Sequence, residues 1–153
     1  MKNAILTALA ALFLSCNGSD PCTALNCQNG AECESGACIC PEQYEGPECS
    51  DLWKAKMVGS FSGLGTCNNG NPTNQSVLIS SGASPDRIQF DNGFFGRMIT
   101  PNQFEIPNQI FTDSQSGNQL SIVGSGTYEP GPQTITMMVV VAGQSCTYQI
   151  TRQ

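Results

Sequence analysis

The sequence predicts a mainly β protein, in which a disulfide-rich module precedes an antiparallel up-and-down β-barrel or flattened sandwich of roughly eight strands. Three observations predict this fold class. The 153 residues include nine cysteines, which is typical of a disulfide-stabilised module. Only 12% of the residues are charged and 16 are glycine, a composition that favours short strands and turns over long helices. Short alternating apolar runs, separated by Gly, Pro and Asn, occupy the chain from residue 57 onward.

The cysteine content also indicates the compartment. So many cysteines in so short a chain imply an oxidising environment, because thiols stay reduced in the cytosol. Nine is an odd number, so one cysteine must have a role other than pairing within the chain.

Residues 1–15 are predicted to be a secretory signal peptide. Lys2 gives a basic start, and an apolar run of 11 residues, 4–14, follows with Thr7 as its polar member. A membrane-spanning helix needs about 20 apolar residues. A run of this length therefore fits the core of a signal that is cleaved.

Phe13-Leu14-Ser15-Cys16 resembles the lipobox of bacterial lipoproteins. The resemblance implies cleavage before Cys16, acylation of this residue, and a membrane tether formed by residues 16–21. Asn17 is not the aspartate that retains such proteins in the inner membrane, so the resemblance favours the outer membrane, on its cell-surface or its periplasmic face. Two or more acyl chains anchor a protein stably. The alternative is an ordinary cleaved signal with Cys16 incidental.

Residues 22–49 are predicted to form a small module with six cysteines in the spacing C-x4-C-x5-C-x4-C-x-C-x8-C. Its 28 residues are too few to bury a sufficient core, and six cysteines permit fifteen pairings. The spacing, together with Asn29-Gly30 and the stretch 38–46, resembles an epidermal-growth-factor-like (EGF-like) domain. The resemblance implies three disulfides, which are Cys22–Cys33, Cys27–Cys38 and Cys40–Cys49.

We expect no metal in this module. Calcium-binding EGF-like domains have acids four, two and one residues before the first cysteine, and only Asp20 fits that pattern here. Calcium takes about six or more oxygen ligands. We interpret the remaining acids near the end of the module as a solvated rim, namely Glu42, Glu45, Glu48 and Asp51.

Residues 50–56 are predicted to link this module to a β domain formed by residues 57–153. We expect Trp53 of the linker to pack between the two, with carbohydrate stacking as the alternative. No helical period is found. Six prolines, including Pro107, are predicted to fall between strands, where a missing N–H costs little. Short β-like runs, several of which alternate between apolar and polar residues, predict nine candidate strands, at 57–63, 76–80, 86–90, 97–100, 103–106, 119–123, 125–129, 133–142 and 145–152.

Cys67 and Cys146 remain once the EGF-like pairs are assigned. A bond between them would enclose 80 residues and would fasten the end of the first strand to the last strand, as closure of a meander into a barrel requires. The domain also resembles short lipocalin-like lipoprotein domains of Bacteroidota, in segments 59–63, 124–128 and 146–150 and in Arg152. Phe61 occupies the Trp position of the lipocalin Gly-x-Trp signature.

Two apolar features are candidate contact sites. The run Met137–Val141 has no polar alternation. We interpret it as a central strand covered by a loop or by the N-terminal module. The alternative is an exposed strip for a partner or for dimerisation, through Met138 and Val140. Phe94 and Phe95 lie in a loop, where we expect them to anchor in the core, with ligand contact as the alternative.

Catalysis is not expected. The chain has no histidine, so it lacks the commonest general base and the commonest metal ligand. Its thiols are expected to be oxidised or acylated, and we expect no cofactor and no metal. A net charge of −6 repels phosphate, which argues against nucleic acid as a partner.

The sequence therefore predicts a lipid-tethered, non-catalytic interaction module that binds an extracellular or periplasmic protein or glycan. Two alternatives stay open, a lipocalin-like carrier of a small apolar ligand and a structural component of the envelope. A carrier needs a cavity of roughly 300 Å3 or more. Whether the barrel interior is filled or hollow therefore separates the carrier from the other two.

Overall fold

The structure, a computed structural model, describes residues 20–68, 70–113 and 116–153. The predicted signal peptide and Cys16 lie outside the described residues. The mainly β fold class is confirmed, since two small two-stranded sheets precede a closed barrel of eight antiparallel strands.

The N-terminal module is held by its two small sheets and by three disulfides. β1 (Glu32–Glu34) pairs with β2 (Ala37–Ile39), and β3 (Tyr44–Glu45) pairs with β4 (Asp51–Leu52). The pairing is the one that the sequence resemblance implies. It joins Cys22 to Cys33, Cys27 to Cys38, and Cys40 to Cys49.

The segment predicted as a linker has regular structure. β4 occupies its start, and a 3₁₀ helix of five residues, Trp53–Met57, follows; we name it the connecting helix. Its last residue, Met57, is fully buried in the barrel core. The first barrel strand therefore starts at Gly59 and not at the predicted residue 57, because Met57 covers this end of the barrel, which we name the closed end.

Eight strands form the barrel, and each pairs antiparallel with the next along the chain. The last strand returns to pair with the first, and Cys67 lies directly opposite Cys146 in that pair. The Cys67–Cys146 disulfide joins the two strands there, so the expected closure of the meander is confirmed. The strands are β5 (Gly59–Cys67), β6 (Thr73–Ser81), β7 (Arg87–Phe90), β8 (Phe95–Thr100), β9 (Gln103–Thr112), β10 (Gln119–Glu129), β11 (Thr134–Val141) and β12 (Gln144–Arg152).

The predicted strands 119–123 and 125–129 are one continuous strand, β10. The break predicted at Gly124 is wrong, because the register with β9 shifts at this point while the pairing continues on both sides, as a β-bulge allows. A Cβ atom on Gly124 would lie 2.3 Å from the backbone oxygen of Met138. The glycine therefore permits close strand packing and does not form a turn.

Pro107 lies inside β9, so the prediction that it falls between strands is wrong. A proline in a paired strand lacks the N–H that the neighbouring strand needs. The Gln109 side chain supplies the replacement. Its Oε1 accepts a hydrogen bond from the Phe95 backbone N–H at 3.0 Å, and its Nε2 donates to the Phe95 carbonyl oxygen at 2.8 Å. β8 and β9 thus stay joined beside the proline.

Side chains from all eight strands fill the barrel interior. Two aromatic rings lie opposite glycines of the neighbouring strand, Phe104 opposite Gly126 and Tyr148 opposite Gly65. A Cβ atom on Gly126 would lie 2.2 Å from the Phe104 ring, and one on Gly65 would lie 2.7 Å from the Tyr148 ring. The rings therefore occupy the space that larger residues would need. The most deeply buried barrel side chains include Phe61, Ile79, Phe90, Ile106, Ile135 and Ile150.

Replacing both Cys67 and Cys146 with alanine should lower the free energy of unfolding of the barrel by about 2–5 kcal/mol, because their bond limits the unfolded ensemble of a long loop. Urea denaturation followed by circular dichroism measures the change. The control removes Cys27 and Cys38, which are 11 residues apart in the N-terminal module, and should leave the barrel transition nearly in place. Equal shifts in the two variants would contradict the closure role of the first bond.

Gln109→Leu should lower the free energy of unfolding by about 2–4 kcal/mol, because the Phe95 backbone N–H and carbonyl would each lose a partner. Thermal and urea unfolding of the variant measure the loss. Gln75→Leu is the matched control, since the Gln75 amide donates to the Thr73 hydroxyl and not to a neighbouring strand. If both variants lose the same stability, the Gln109 side chain does not replace a ladder bond.

Candidate interaction surfaces

Lys54 fixes the connecting helix to the barrel. Its ammonium group is buried and donates hydrogen bonds to the carbonyl oxygens of Gly82, at 3.0 Å, and Ser84, at 2.7 Å, in the β6–β7 loop. Burial lowers the pKa of Lys54, while attraction by the Asp86 carboxylate opposes that shift. Sequence reasoning missed this contact, because a lysine in a five-residue helix belongs to no periodic pattern.

Arg152, the last residue of β12, makes further contacts at the closed end of the barrel. Its guanidinium carbon lies 4.9 Å from the centre of the Phe61 ring, within cation–π range. The same group donates hydrogen bonds to the carbonyl oxygens of Val58, at 2.8 Å, and of Lys56. The Arg152 side chain therefore joins β12 to β5 and to the connecting helix.

Trp53 lies at the junction between the N-terminal module and the barrel, as expected from its place in the sequence. Its indole N–H donates to the Tyr44 carbonyl oxygen at 3.0 Å, and its backbone N–H donates to that of Gln43 at 2.8 Å. Its side chain packs against the barrel core. An ion pair of 2.8 Å between Lys56 and Glu45 adds to this contact. The N-terminal module is thus tied to the helix that closes the barrel.

Phe94 covers the barrel core at the end away from the connecting helix, which we name the distal end. Phe94 is 8% exposed, stacks on Phe90 with ring centres 4.4 Å apart, and meets Phe111 edge-on at 5.5 Å. Phe95 is half-buried instead, and the guanidinium carbon of Arg87 lies 3.6 Å from its ring centre. The expected anchoring in the core is therefore confirmed for Phe94 and wrong for Phe95, which is the first residue of β8 and lies outside the core cluster.

The run Met137–Val141 forms most of β11, and its two faces differ. Met137 and Val139 are buried in the core, whereas Met138 is 67% and Val140 is 39% exposed on the outer surface. The interpretation of this strand as covered on both faces is therefore wrong. The exposed alternative fits the two outward residues, because successive side chains of a strand point to opposite faces of the sheet.

The exposed apolar surface extends beyond β11. Val123 of β10 lies directly opposite Val140 and is 42% exposed. Ile110 of β9 lies opposite Ser121, two residues before Val123, and is 71% exposed. We name Ile110, Val123, Met138 and Val140 the apolar strip. A shallow groove of about 220 Å3 runs beside it and is lined by Val123, Met138, Val140, Ser145 and Thr147 among others.

Two acidic groups of the barrel, Asp86 and Glu105, form an ion network around Arg97. Its Nε lies 3.5 Å from an Asp86 carboxylate oxygen, and its Nη1 lies 3.8 Å from one of Glu105. In the described ranges, no group of three or more His, Cys, Asp or Glu side chains is placed to hold a metal ion. Within those same ranges, no helix has the length and apolar character needed to cross a membrane.

Comparisons of this chain with protein-family models, with curated proteins and with solved structures each give no match. The structure itself shows a closed antiparallel β-barrel with a side-chain-filled interior, preceded by a module with three disulfides.

Replacing Lys54 with methionine should lower the free energy of unfolding by about 1–3 kcal/mol at neutral pH, because the carbonyl groups of Gly82 and Ser84 would lose a charged donor. Chemical denaturation measures the change. Lys56→Met is the control, since it removes a partly exposed ion pair and should cost less than about 1 kcal/mol. A loss no larger than that of the control would contradict the anchoring role of Lys54.

The difference in stability between the wild type and Lys54→Met should grow as the pH rises. Burial lowers the pKa of Lys54 in the folded state below its ordinary value of 10.5, so the unfolded chain binds this proton more tightly. The free energy of unfolding of the wild type therefore increases with pH between the folded-state pKa of Lys54 and 10.5. Equilibrium unfolding of both proteins over a series of alkaline pH values tests this, and a difference that shrinks with rising pH would contradict it.

Proposed function

We propose that this protein is an exported, lipid-tethered, non-catalytic interaction module that binds a macromolecular partner through the outside of its barrel. The observation that carries the proposal is the filled interior. Side chains from all eight strands occupy it, Met57 covers one end, and Phe94 covers the other. Because the interior is occupied, the outer surface and the loops remain for binding.

The disulfides support export and the tether. The four bonds of the described residues need an oxidising compartment to form and persist. They use eight of the nine cysteines, which leaves Cys16 for the acylation that its lipobox-like segment implies. We place the tethered protein at the outer membrane, on its cell-surface or its periplasmic face.

We propose that residues 22–49 are an EGF-like spacer between the tether and the barrel. The pairing of the first cysteine with the third, the second with the fourth and the fifth with the sixth supports this assignment. The hydrogen bonds of Trp53 and the ion pair of Lys56 support a stiff connection to the barrel. Such a spacer would hold the outer face of the barrel away from the membrane surface.

The apolar strip supports a protein partner. Exposed apolar patches with a polar rim are typical of protein–protein contacts, and serine and threonine side chains border the groove beside the strip. The carrier alternative has less support, because a small apolar ligand would compete for space with Phe61, Phe90 and Phe104, all less than 2% exposed.

Mass spectrometry of the protein purified from its own cells tests the proposal. Under denaturing conditions we expect a chain that begins at Cys16 and carries added acyl mass. Under native conditions we expect no further small molecule. A chain that begins at Cys16 without acyl mass would remove the tether, and a small apolar molecule released on denaturation would replace the interaction module with a carrier.

Phe104→Ala should create an apolar cavity that the wild type lacks. Phe104 is fully buried, so the variant should lose about 3–5 kcal/mol of unfolding free energy and should bind benzene or xenon, as dry engineered cavities do. Calorimetric titration or xenon chemical shifts measure the binding. Phe95→Ala is the control, because the Phe95 ring lies outside the buried core cluster. Benzene binding by the wild-type interior would contradict the filled barrel.

A further inference from the structure

The apolar strip follows a short diagonal across three adjacent strands. Val123 and Val140 are directly paired, and Met138 follows on the same face of β11. Ile110 continues the surface onto β9. Met138 is 67% exposed and also lines the groove of about 220 Å3. The surface thus offers a projecting flexible side chain and, beside it, a groove with valine walls.

Apart from β9, the strands around the strip carry no charge in the sequence. On β9, Glu105 lies opposite Ser125, which in turn lies opposite Met138. No Asp, Glu, Lys or Arg occurs in residues 59–81, 114–128 or 130–151. These ranges include all of β5, β6, β11, all of β10 before Glu129, and all of β12 before Arg152. The chain as a whole has a net charge of −6. Two copies would therefore repel each other in most orientations and would repel least when these neutral faces meet.

We infer that the apolar strip is the contact between two copies of this chain, related by a two-fold axis, with Met138 of each copy inserted into the groove of the other. A two-fold contact requires one surface to be complementary to itself, and here the same residue supplies both the projection and a wall of the groove. Methionine suits this role because its unbranched side chain adapts to irregular gaps. The inference rests on the proposed function in placing the contact on the outer face of the barrel.

The size of the face predicts a weak dimer. The strip and its groove together span the four strands β9 to β12. At a spacing of about 4.8 Å and a length of about nine residues, four strands offer roughly 600 Å2 per copy, below the roughly 800 Å2 per partner of a standard stable interface. Tethering of both copies to one membrane would raise their effective concentration. We therefore expect dimers at high concentration in solution and stronger pairing on a membrane.

Sedimentation velocity over a wide concentration range tests the inference. The protein is the mature chain exported behind a signal that takes no lipid, since residues 20–153 contain all four disulfides and the barrel core. The wild type should shift from monomer to dimer as concentration rises. Met138→Lys should weaken this association at least roughly tenfold, because it buries an unpaired charge. Leu78→Lys is the control, at an outward position of β6 that is 50% exposed, and should associate like the wild type.

A mixture of two charge variants tests the two-fold geometry. Met138→Lys and Met138→Glu should each stay monomeric alone, and their equimolar mixture should restore the dimer, because each lysine would then meet a glutamate. Thermal unfolding should show that both variants fold, since position 138 is exposed.

Three results would overturn the inference. They are a wild type that stays monomeric, a dimer that Met138→Lys leaves intact, and variants whose mixture stays monomeric. A monomer whose binding to neutral phospholipid vesicles depends on Met138 would assign the strip to lipid instead. None of these outcomes bears on the acyl mass or the filled barrel, which are measured separately.

Discussion

Closure of the sheet between β5 and β12 is the constraint on which the rest of the structure depends. A closed barrel has no unpaired edge, and eight strands enclose a space that side chains can just fill. Closure fixes which residues of each strand face inward. It therefore places Met138 and Val140 on the outside, while Met137 and Val139 enter the core.

The two ends of the barrel are covered by different means. At the closed end, Met57 enters the core, and Lys54 and Arg152 satisfy backbone carbonyls of the surrounding loops and helix. At the distal end, Phe94 covers the core through contacts with two other rings, and its carbonyl oxygen accepts a hydrogen bond from the Gln89 side chain at 2.7 Å. The charged groups at the closed end thus join the connecting helix, to which the N-terminal module is tied, to the strands and loops of the barrel.

Much of this fold could be predicted from the sequence, because the alternation of apolar and polar residues within a strand and the number of cysteines can be read from it directly. Those signals predict eight or nine strands. The resemblance of residues 22–49 to an EGF-like domain then leaves Cys67 and Cys146 to form the closing bond. The connecting helix was missed because five residues are too few to show a helical period. The continuity of β10 was missed because Gly124 resembles a turn residue until the close approach of Met138 is known.

The surface was harder to predict than the fold. Whether the outer face of β11 is covered depends on what packs over it, which no property of Met138 or Val140 alone reveals. Likewise, Lys54 acquires its role from two carbonyl groups about 30 residues away in the chain. Such contacts arise only when the barrel has closed and its loops have met the connecting helix.

The Gln109 side chain limits which substitutions this barrel tolerates during evolution, because its amide replaces the N–H that Pro107 lacks. A substitution at position 109 is harmful while proline remains at 107, yet it becomes neutral once residue 107 can again donate its own peptide hydrogen. The order of mutations therefore matters. Lineages that lose the glutamine should be those that first lost the proline, so the two positions should drift as a pair.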